Sequence, residues 1–326
     1  MNVSAPALRE TERRAAIFVL SDVRSGSTLL DQCLGGHPDI VSLGEVHWLA
    51  AYARQDRSIY DPVHDLVCTC GKAVASCTFW ARVAASLGRP LESLRQRPNF
   101  MPSNGGSRWW RLMRRLVETA PLVYRSRVLR AYCGSQEIAR DAVALYDAVT
   151  TVTRHPYCVD SSKSPFRFRA VNSLDPERTL AVVLVRDYRA VVDSKMKRGQ
   201  TLEAAATGWR NRMRQIATLT SDLPPRGVHR LTYESLCSDP REELGKICRF
   251  LGVTFDENML RRPTDDIHHI GGSPSKFDSA KSEIALDLGY LSRIDRRSLA
   301  QMREIVGPEA RRWGYEADPI CQGDSS

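Results

Sequence analysis

The sequence predicts an α/β protein: a P-loop-like, doubly wound parallel sheet flanked by helices, with a mostly helical insertion. Two observations support this prediction. Short apolar runs alternate with amphipathic segments, as where AAIFVL (15–20) precedes STLLDQCL (27–34). The strongest run, TLAVVLVRD (179–187), is continuous and rich in β-branched residues, which is typical of a parallel strand buried on both faces.

The predicted elements follow one another along the chain. A strand over 15–20 leads through a Gly/Ser turn into a helix over 27–34, which GGHP (35–38) ends. The segment 42–54 is predicted to be a loop that enters a helix. Further strands are predicted at the start of YCVDSSKS (157–164), in 179–187 and in GVHRLTYESL (227–236). Further helices are predicted at 135–153, 188–197, 202–220, 240–253 and 296–315.

The charge balance favours anionic partners. The 47 Lys+Arg residues against 38 Asp+Glu give a net charge of +9, which suits nucleotides, nucleic acid, acidic glycans or a membrane surface. A basic, solvated surface without a partner fits this charge equally well. The first apolar run is too short for a signal peptide, and no run approaches the roughly 20 apolar residues of a membrane span. We therefore expect a cytoplasmic protein.

The stretch FVLSDVRSGSTLLDQCL (18–34) has the layout of a phosphate-binding loop without its lysine. In GxxxxGK[ST], backbone N–H groups hold the phosphates, the lysine reaches the terminal phosphates and the Ser/Thr binds magnesium. Aligned on Gly26, Ser21 replaces the first glycine and Ser27 replaces the lysine. Gly26 and the helix N-terminus preserve an anion cradle, and Arg24 adds a planar cation. We therefore expect a ligand with one phosphate at this end.

A second set of polar residues lies in LVRDYRAVVDSKMKRG (184–199). In an open α/β sheet, ligands lie beyond the carboxyl ends of the strands. Arg186 ends the strongest predicted strand, so Arg186, Ser194 and Arg198 can clamp a second, separate phosphate. The neighbouring basic residues are expected to be solvated charges on a helix: Arg189, Lys195 and Lys197.

These two motifs, VRSGSTLL (23–30) and LVRDYRAVVDS (184–194), resemble the nucleotide-binding motifs of sulfotransferases that use 3′-phosphoadenosine 5′-phosphosulfate (PAPS). The chain is similar to bacterial members, and its catalytic motifs are closest to the tyrosylprotein and glycan-modifying branch. Other segments resemble parts of the same family: GEVHW, VDSSKSPFRF, LTYESLCSDPREELGKICRFLGV and HHIGGSPSKF. The resemblance covers residues 16–280.

The resemblance implies in-line transfer of a sulfuryl group from PAPS to a hydroxyl acceptor, with release of 3′-phosphoadenosine 5′-phosphate (PAP) and no metal. It implies that the first motif holds the 5′-phosphosulfate through Arg24, Ser25, Gly26, Ser27 and Thr28. It implies that the second motif holds the 3′-phosphate through Arg186, Ser194 and Arg198. Four further nucleotide contacts are implied: Tyr233 near the adenine, and Gly271, Gly272 and Lys276 in a loop that closes over the nucleotide.

The resemblance also implies the catalytic residues. Glu45 is expected to be the general base, and Lys163 to neutralise charge on the sulfuryl group or the leaving phosphate, a task that Arg24 can share. His47 is the alternative base. The sequence departs from the family in two places. Arg24 replaces the lysine of the small-molecule branch, and the family's Asp-Pro-Phe triplet reads Ser-Pro-Phe at 164–166, so only Lys163 carries over there.

We expect one sulfotransferase domain over 1–326, with a flexible segment at 1–14 and a helical insertion at 81–155 that shapes the acceptor site. The basic, aromatic segment 108–132 has four open interpretations: an acceptor wall, a lid, a peripheral membrane contact or a helix packed on the core. Carbohydrate, glycolipid, peptide tyrosine and small natural-product hydroxyls all stay open as acceptors. The sequence does not fix the oligomeric state.

Three cysteines, Cys68, Cys70 and Cys77, form C-x-C-x₆-C, which lacks the paired C-x₂-C spacing of a strong zinc site. His64 completes a set of four on paper. We nevertheless expect free or structural cysteines and no metal.

Two other functions stay open at this point. A P-loop kinase or NTPase would need a magnesium triphosphate site, which the absent lysine opposes. A basic nucleic-acid-binding protein would need a groove-reading or stacking module, and none is visible in the sequence. We therefore expect a hydroxyl-bearing acceptor and no nucleic acid as the partner.

Overall fold

Five parallel strands form the centre of the fold, in the order β2-β3-β1-β4-β5. Their bounds are Ala15–Leu20 (β1), Ile40–Ser42 (β2), Tyr157–Asp160 (β3), Thr179–Val185 (β4) and Val228–Thr232 (β5). The register pairs Val19 with Val182 between β1 and β4. The sheet confirms the predicted parallel α/β fold.

The computed structural model describes residues 15–56, 66–95, 135–261, 267–272 and 284–315. Three predictions from the sequence lie outside these residues: the flexible segment 1–14, the interpretation of 108–132, and the role of Lys276. His64 also lies outside them.

The two central strands are buried on both faces, as the continuous apolar runs predict. Phe18 and Leu20 of β1 belong to one hydrophobic cluster, and Ile17 and Val19 belong to a second cluster on the opposite face. Alternate residues of β4 divide between the two clusters in the same way. The period of two follows from the alternation of side chains along a strand. Helices therefore cover both faces of the sheet.

The helices lie at Ser27–Leu34 (α1), Leu49–Ala53 (α2), Thr78–Leu87 (α3), Ser135–Thr153 (α4), Pro165–Leu174 (α5), Tyr188–Met196 (α6), Leu202–Leu219 (α7), Tyr233–Ser238 (α8), Pro240–Leu251 (α9) and Arg296–Arg312 (α10). Several begin at side-chain caps. Asp187 accepts a hydrogen bond from the Arg189 N–H at the start of α6. Asp239, which precedes Pro240, accepts one from the Glu242 N–H at the start of α9.

Helix α9 ends at Gly252, whose φ of 75° lies in the left-handed region that favours glycine. The predicted helices at 27–34, 135–153, 188–197, 202–220, 240–253 and 296–315 are each confirmed to within a few residues. In α10, Gly307 breaks the regular geometry one residue before Pro308.

The sequence predicted neither strand β2 nor helix α5. The three residues of β2, Ile40–Ser42, are too few to show a period, and the segment from Ser42 onwards was expected to be a loop entering a helix. The strand forms because it pairs with β3, where Val41 is aligned with Cys158. The described parts of the predicted insertion 81–155 are helical, in α3 and α4. Among the described residues, no helix is long and apolar enough to cross a membrane.

Candidate active site

Each strand of the sheet is followed by a residue that the sequence singled out. Because all strands are parallel, their carboxyl ends lie at one edge of the sheet. From one side of the sheet to the other, the residues after the strands are Glu45 (β2), Lys163 (β3), Arg24 (β1), Arg186 (β4) and Tyr233 (β5). The fold therefore brings candidates that are up to 209 positions apart in sequence to a common edge.

Residues 21–26, which we call the phosphate loop, join β1 to α1 at this edge of the sheet. Gly26, with φ 85°, is the N-cap of α1, and no side chain caps the first turn of that helix. The first turn also carries no acidic residue. An uncapped helix N-terminus offers N–H groups and a positive dipole end to an anion. Ser27 and Thr28 are the first two residues of α1, as the motif predicted.

Arg189 and Lys195 are buried and hold loops in place. The prediction that they are solvated charges on a helix is therefore wrong. The Lys195 ammonium lies 2.5 Å from the Asp22 carboxylate, with both side chains almost fully buried. This ion pair ties the phosphate loop to α6. The Arg189 guanidinium likewise pairs with Asp187 at 2.5 Å. Lys197, as predicted, is exposed on the helix surface.

The two predicted phosphate motifs touch each other. The Arg24 Nε donates a hydrogen bond to the Ser194 Oγ at 3.0 Å, across 170 positions of sequence. The Arg186 guanidinium donates to the Arg24 carbonyl oxygen at 3.3 Å. Burial lowers the pKa of Arg24, and the nearby charges of Arg198 and Arg186 lower it further. Three guanidinium groups therefore share one small region.

Negative charge near these three cations is limited. Arg186 pairs with Asp287 at 3.2 Å, and the Asp287 side chain is 63% exposed. Burial alone would raise the pKa of Asp287, but hydrogen bonds from the Gly289 N–H and from Arg186, with the charges of Arg186 and Lys197, bring it below its usual value. An exposed carboxylate is a partner that an incoming anion can displace from Arg186.

Some polar atoms here lack partners within the part of the chain that the structure describes. The hydroxyls of Ser21 and Ser25 and the Arg186 Nε are buried without a hydrogen bond. Buried polar groups in native proteins are nearly always hydrogen-bonded, so these atoms indicate a missing partner. An anionic ligand at the phosphate loop fits this need.

Tyr233 closes the loop from the β5 side. Its ring lies under the Arg186 guanidinium, 4.2 Å from carbon Cζ to the ring centroid. A Cβ added to Gly26 would overlap the same ring, 2.8 Å from the Tyr233 Cε2. The glycine is therefore required both by its φ and by the close approach of Tyr233. The tyrosine is also part of the core, with a residue exposure of 7%.

Glu45 and Lys163, which follow β2 and β3 at one side of the sheet, form an ion pair. The backbone holds both residues: the Ser161 N–H donates to the Gly44 carbonyl at 2.9 Å, and the Glu45 N–H donates to the Ile270 carbonyl at 2.6 Å. Lys163 has a φ of 59° and Arg24 a φ of 70°, uncommon for residues with side chains. Such strained positions cluster at functional sites.

A buried network beneath Lys163 fixes the loop that follows β3. Asp160 accepts hydrogen bonds from the Tyr146 hydroxyl at 2.6 Å, from the Arg167 Nε at 2.9 Å and from the Ser162 N–H at 2.8 Å. The carboxylate of Asp160 is thus paired and hydrogen-bonded, as a buried charge must be. The network sets the direction in which the chain leaves β3 towards Lys163.

A second buried network joins α1 to the loops after β2 and β3. The Asp31 carboxylate accepts hydrogen bonds from Ser42 at 2.6 Å and Ser161 at 3.1 Å, and His269 lies 3.7 Å away. Burial raises the pKa of Asp31 to about 7, although these hydrogen bonds and the charge of Lys163 oppose the shift. The sequence did not single out Asp31, Ser42 or His269, since no local pattern relates residues so far apart.

Gly271 lies at the Glu45 side of the site. The atoms nearest to a Cβ added there belong to Glu45, at 3.0 Å, and Trp48, at 3.3 Å. Gly271 and Gly272 both have positive φ, at 62° and 92°. Their contact with the nucleotide stays a prediction, and Lys276 lies outside the described residues.

The chain matches the model of the sulfotransferase family over residues 16–257. No curated protein sequence matches it significantly. Among solved structures, the sulfotransferase domain from the curacin biosynthetic pathway is similar with a TM-score of 0.50 and 20% identity, over 94% of this chain and 100% of that domain. The sulfotransferase domain of the Synechococcus PCC 7002 olefin synthase gives a TM-score of 0.49 and 21% identity, over 94% and 96%. The first of these likenesses supports the fold.

Replacing Gly26 by alanine should destabilise the protein more than the same change at Gly199. Both glycines have a φ of 85°, but an added Cβ meets the Tyr233 ring at Gly26 and nothing within 4 Å at Gly199. The left-handed backbone alone costs an alanine about 1–2 kcal/mol, and overpacking adds about 1–3 kcal/mol at Gly26. Urea unfolding of both variants measures the difference. Equal losses would show that Tyr233 does not pack against the loop.

The burial of Asp31 should make stability depend on pH. The folded protein retains a proton on Asp31 that the unfolded chain releases, so this contribution to the free energy of unfolding is lost as pH rises from 3.8 to about 7. Asp31→Asn cannot titrate. Across that range, the unfolding free energy of the wild type should fall relative to that of the variant as pH rises, as measured by urea unfolding. A constant difference between pH 3.8 and about 7 would contradict the assignment.

Proposed function

Because the chain belongs to the sulfotransferase family, we propose that it transfers a sulfuryl group from PAPS to a hydroxyl of an acceptor. One observation supports the donor most directly: the hydrogen bond from Arg24 to Ser194. It links the two motifs that the resemblance assigns to the two phosphate-bearing ends of PAPS. Carbohydrate, glycolipid, peptide tyrosine and small natural-product hydroxyls are the acceptor classes that we consider.

The phosphate loop would hold the 5′-phosphosulfate. The uncapped N-terminus of α1 would supply N–H groups, and the Ser25 hydroxyl, which has no partner among the described residues, would supply a further donor. Arg24 places a guanidinium at the same turn. No acidic residue in the first turn of α1 would repel the ligand.

Arg186, Ser194 and Arg198 would hold the 3′-phosphate. The Arg186 Nε has no partner in the described part of the chain, and the pairing of this guanidinium with Asp287 involves an exposed carboxylate. A dianionic phosphate is a stronger partner for a largely buried guanidinium than one exposed carboxylate. We therefore infer that the phosphate displaces Asp287 from Arg186 when the nucleotide binds.

Glu45 would act as the general base. In this role a Glu45 oxygen takes the proton of the acceptor hydroxyl, whose oxygen forms the new bond to sulfur as the bond from sulfur to the 5′-phosphate oxygen breaks. PAPS supplies an activated sulfuryl group on a phosphate leaving group. Lys163, which pairs with Glu45, would offset negative charge on the transferred group, and Arg24 would offset charge on the leaving phosphate.

The proposed site has two halves, which lie on opposite sides of the sheet. The β1, β4 and β5 side carries the cations assigned to the nucleotide, while the β2 and β3 side carries the Glu45–Lys163 pair. This separation keeps a carboxylate base away from the phosphates, which would repel it. A kinase or NTPase is not favoured, because the family match and the lysine-free loop both oppose it. The same family match disfavours a nucleic-acid-binding protein.

Replacing Arg186 by alanine should weaken PAP binding far more than binding of adenosine 5′-phosphosulfate, which lacks the 3′-phosphate. A charged hydrogen bond of this type is worth about 1.5–3 kcal/mol, so PAP affinity should fall about 10- to 150-fold. Ser194→Ala should act in the same direction. Calorimetry in buffer free of magnesium measures both ligands, with ATP and magnesium as the kinase comparison.

Two further variants sharpen this test. Lys197→Ala removes an equal charge from an exposed position at the C-terminal end of α6 and should leave PAP affinity nearly unchanged. Asp287→Asn should tighten PAP binding, because it removes the carboxylate that competes for Arg186. Equal losses for both nucleotides in Arg186→Ala would show that Arg186 does not bind the 3′-phosphate. A strong response to ATP with magnesium and none to PAP would support the kinase instead.

Replacing Glu45 by glutamine should lower turnover by about 10²-fold or more while PAP affinity stays nearly unchanged. Glutamine keeps the size and a hydrogen-bonding oxygen for Lys163 but cannot accept the proton. Transfer of label from PAPS into an acceptor-containing fraction of a cell extract measures turnover, and calorimetry measures PAP affinity. Lys163→Ala should lower turnover with some loss of nucleotide affinity.

The alternative base gives this test its control. His47 is two residues from Glu45. Its backbone N–H donates a hydrogen bond to the Ser162 hydroxyl at 3.1 Å, which holds the backbone of His47 in place. If His47→Ala abolishes transfer and Glu45→Gln does not, the base is His47. Normal turnover in both variants would place the base outside this segment.

A further inference from the structure

Three cysteines and a histidine from two distant segments meet in one cluster. Cys68, Cys70, Cys77 and His268 each offer one ligand atom, and these atoms lie within 4.8 Å of one another. We propose that the cluster binds one structural Zn²⁺ ion. The site is separate from the phosphate motifs and from the proposed transfer reaction. It departs from the prediction from the sequence that the cysteines are free or structural and that the protein holds no metal.

The distances within the cluster fit a tetrahedral site. With Zn–S bonds of about 2.3 Å and Zn–N bonds of about 2.0–2.1 Å, tetrahedral geometry separates two sulfurs by about 3.8 Å and a sulfur from a nitrogen by about 3.6 Å. The Cys77 sulfur lies 3.6 Å from that of Cys70 and 3.9 Å from that of Cys68. The His268 Nδ1 lies 3.3 Å from the Cys77 sulfur and 3.5 Å from the Cys68 sulfur.

The backbone around the first two cysteines is built for ligation. Val67 and Ala73 form an antiparallel bridge, and the Cys68 N–H donates to the Lys72 carbonyl at 2.9 Å. Gly71, with φ 80°, allows the tight turn between them. This turn points Cys68 and Cys70 towards a common centre. Cys77 reaches the same centre from the N-cap of α3.

The histidine is held in a ligating orientation by its neighbours. The His268 ring stacks on Phe79, with centroids 4.7 Å apart and parallel planes. Thr69 fixes the backbone on both sides of His268: its hydroxyl bonds the Ile267 carbonyl, and it accepts the His269 N–H at 2.9 Å. The residues around a metal ligand normally provide such support.

Zinc explains the cluster better than a disulfide does. A disulfide needs sulfurs about 2.05 Å apart, uses two thiols and gives no role to His268. Three soft thiolates and one imidazole in a tetrahedral set are the ligands that Zn²⁺ prefers. Four protein ligands leave no open position for a water, which indicates a structural rather than a catalytic ion. Binding would release the thiol protons of the three cysteines.

The proposed ion would fix the surroundings of Glu45. It would join the segment 66–77 to the segment 267–272, and the latter continues from His268 into His269 and Ile270. His269 contacts Asp31 and Ser42, and Ile270 pairs with the chain around Gly44. Through these contacts the ion would hold the wall beside Glu45 without touching the reacting groups.

The metal content of the protein tests the proposal. The chain should be purified without a histidine tag or chelator, and elemental analysis should find one zinc per chain. After removal of zinc under reducing conditions, Co²⁺ should restore a tetrahedral, thiolate-bound absorption spectrum. Cys77→Ser and His268→Ala should each weaken zinc binding by at least about 10- to 100-fold. Cys248→Ser, which alters another buried cysteine, should retain one zinc per chain.

Several results would overturn the proposal. Wild-type protein without zinc, and without a thiolate–cobalt spectrum after reduction, would exclude the site even if the variants fail to fold. A mass two hydrogens lower, mapped to these cysteines, would identify a disulfide instead. Full zinc retention in both Cys77→Ser and His268→Ala would place the ion elsewhere. PAP binding, measured on the same preparations, tests the proposed function separately.

Discussion

A parallel sheet makes the chain leave every strand at the same edge, and the candidate active site depends on that constraint. The order β2-β3-β1-β4-β5 sets which residues become neighbours. Arg24 and Arg186 follow adjacent strands at the centre, where the chain turns to opposite sides of the sheet after β1 and after β4. Glu45 and Lys163 follow adjacent strands at one side. The separation of Arg24 and Arg186 from Glu45, the proposed base, therefore follows from strand order.

The basic residues at this edge have two different physical roles. Some are buried with a carboxylate partner and hold loops in place, as Lys195 does with Asp22 and Arg189 does with Asp187. Removing one partner of such a pair leaves an uncompensated buried charge, so these pairs fix the loop geometry. Burial lowers the pKa of Arg24, and the nearby charges of Arg198 and Arg186 lower it further. A bound anion would offset this repulsion, which is why we propose that these three residues bind the nucleotide.

The loops after β2 and β3 depend on contacts with remote segments. Asp31 on α1 contacts Ser42, Ser161 and His269, so a single buried carboxyl group joins the phosphate-loop helix to the surroundings of the Glu45–Lys163 pair. The proposed zinc site extends this connection to the segment 66–77. Both features act by holding backbone segments together, and neither requires contact with the substrate.

The sequence by itself determined the fold class, the long helices and the two phosphate motifs, because apolar periodicity and glycine turns are local properties that residue spacing reveals. It also paired Glu45 with Lys163 in one reaction through family resemblance. Only the tertiary structure decided which basic residues are buried. The sequence predicts that Arg189 and Lys195 are solvated charges on a helix, but in the structure they pair with Asp187 and Asp22.

Strand β2, the Asp31 network and the fourth ligand of the cysteine cluster were likewise invisible in the sequence. Three residues are too few to show a strand period, and His268 lies 191 positions from Cys77. Contacts over such separations leave no local pattern, since they form only when the chain folds and the entropy of closing long loops is offset by burial of the whole core.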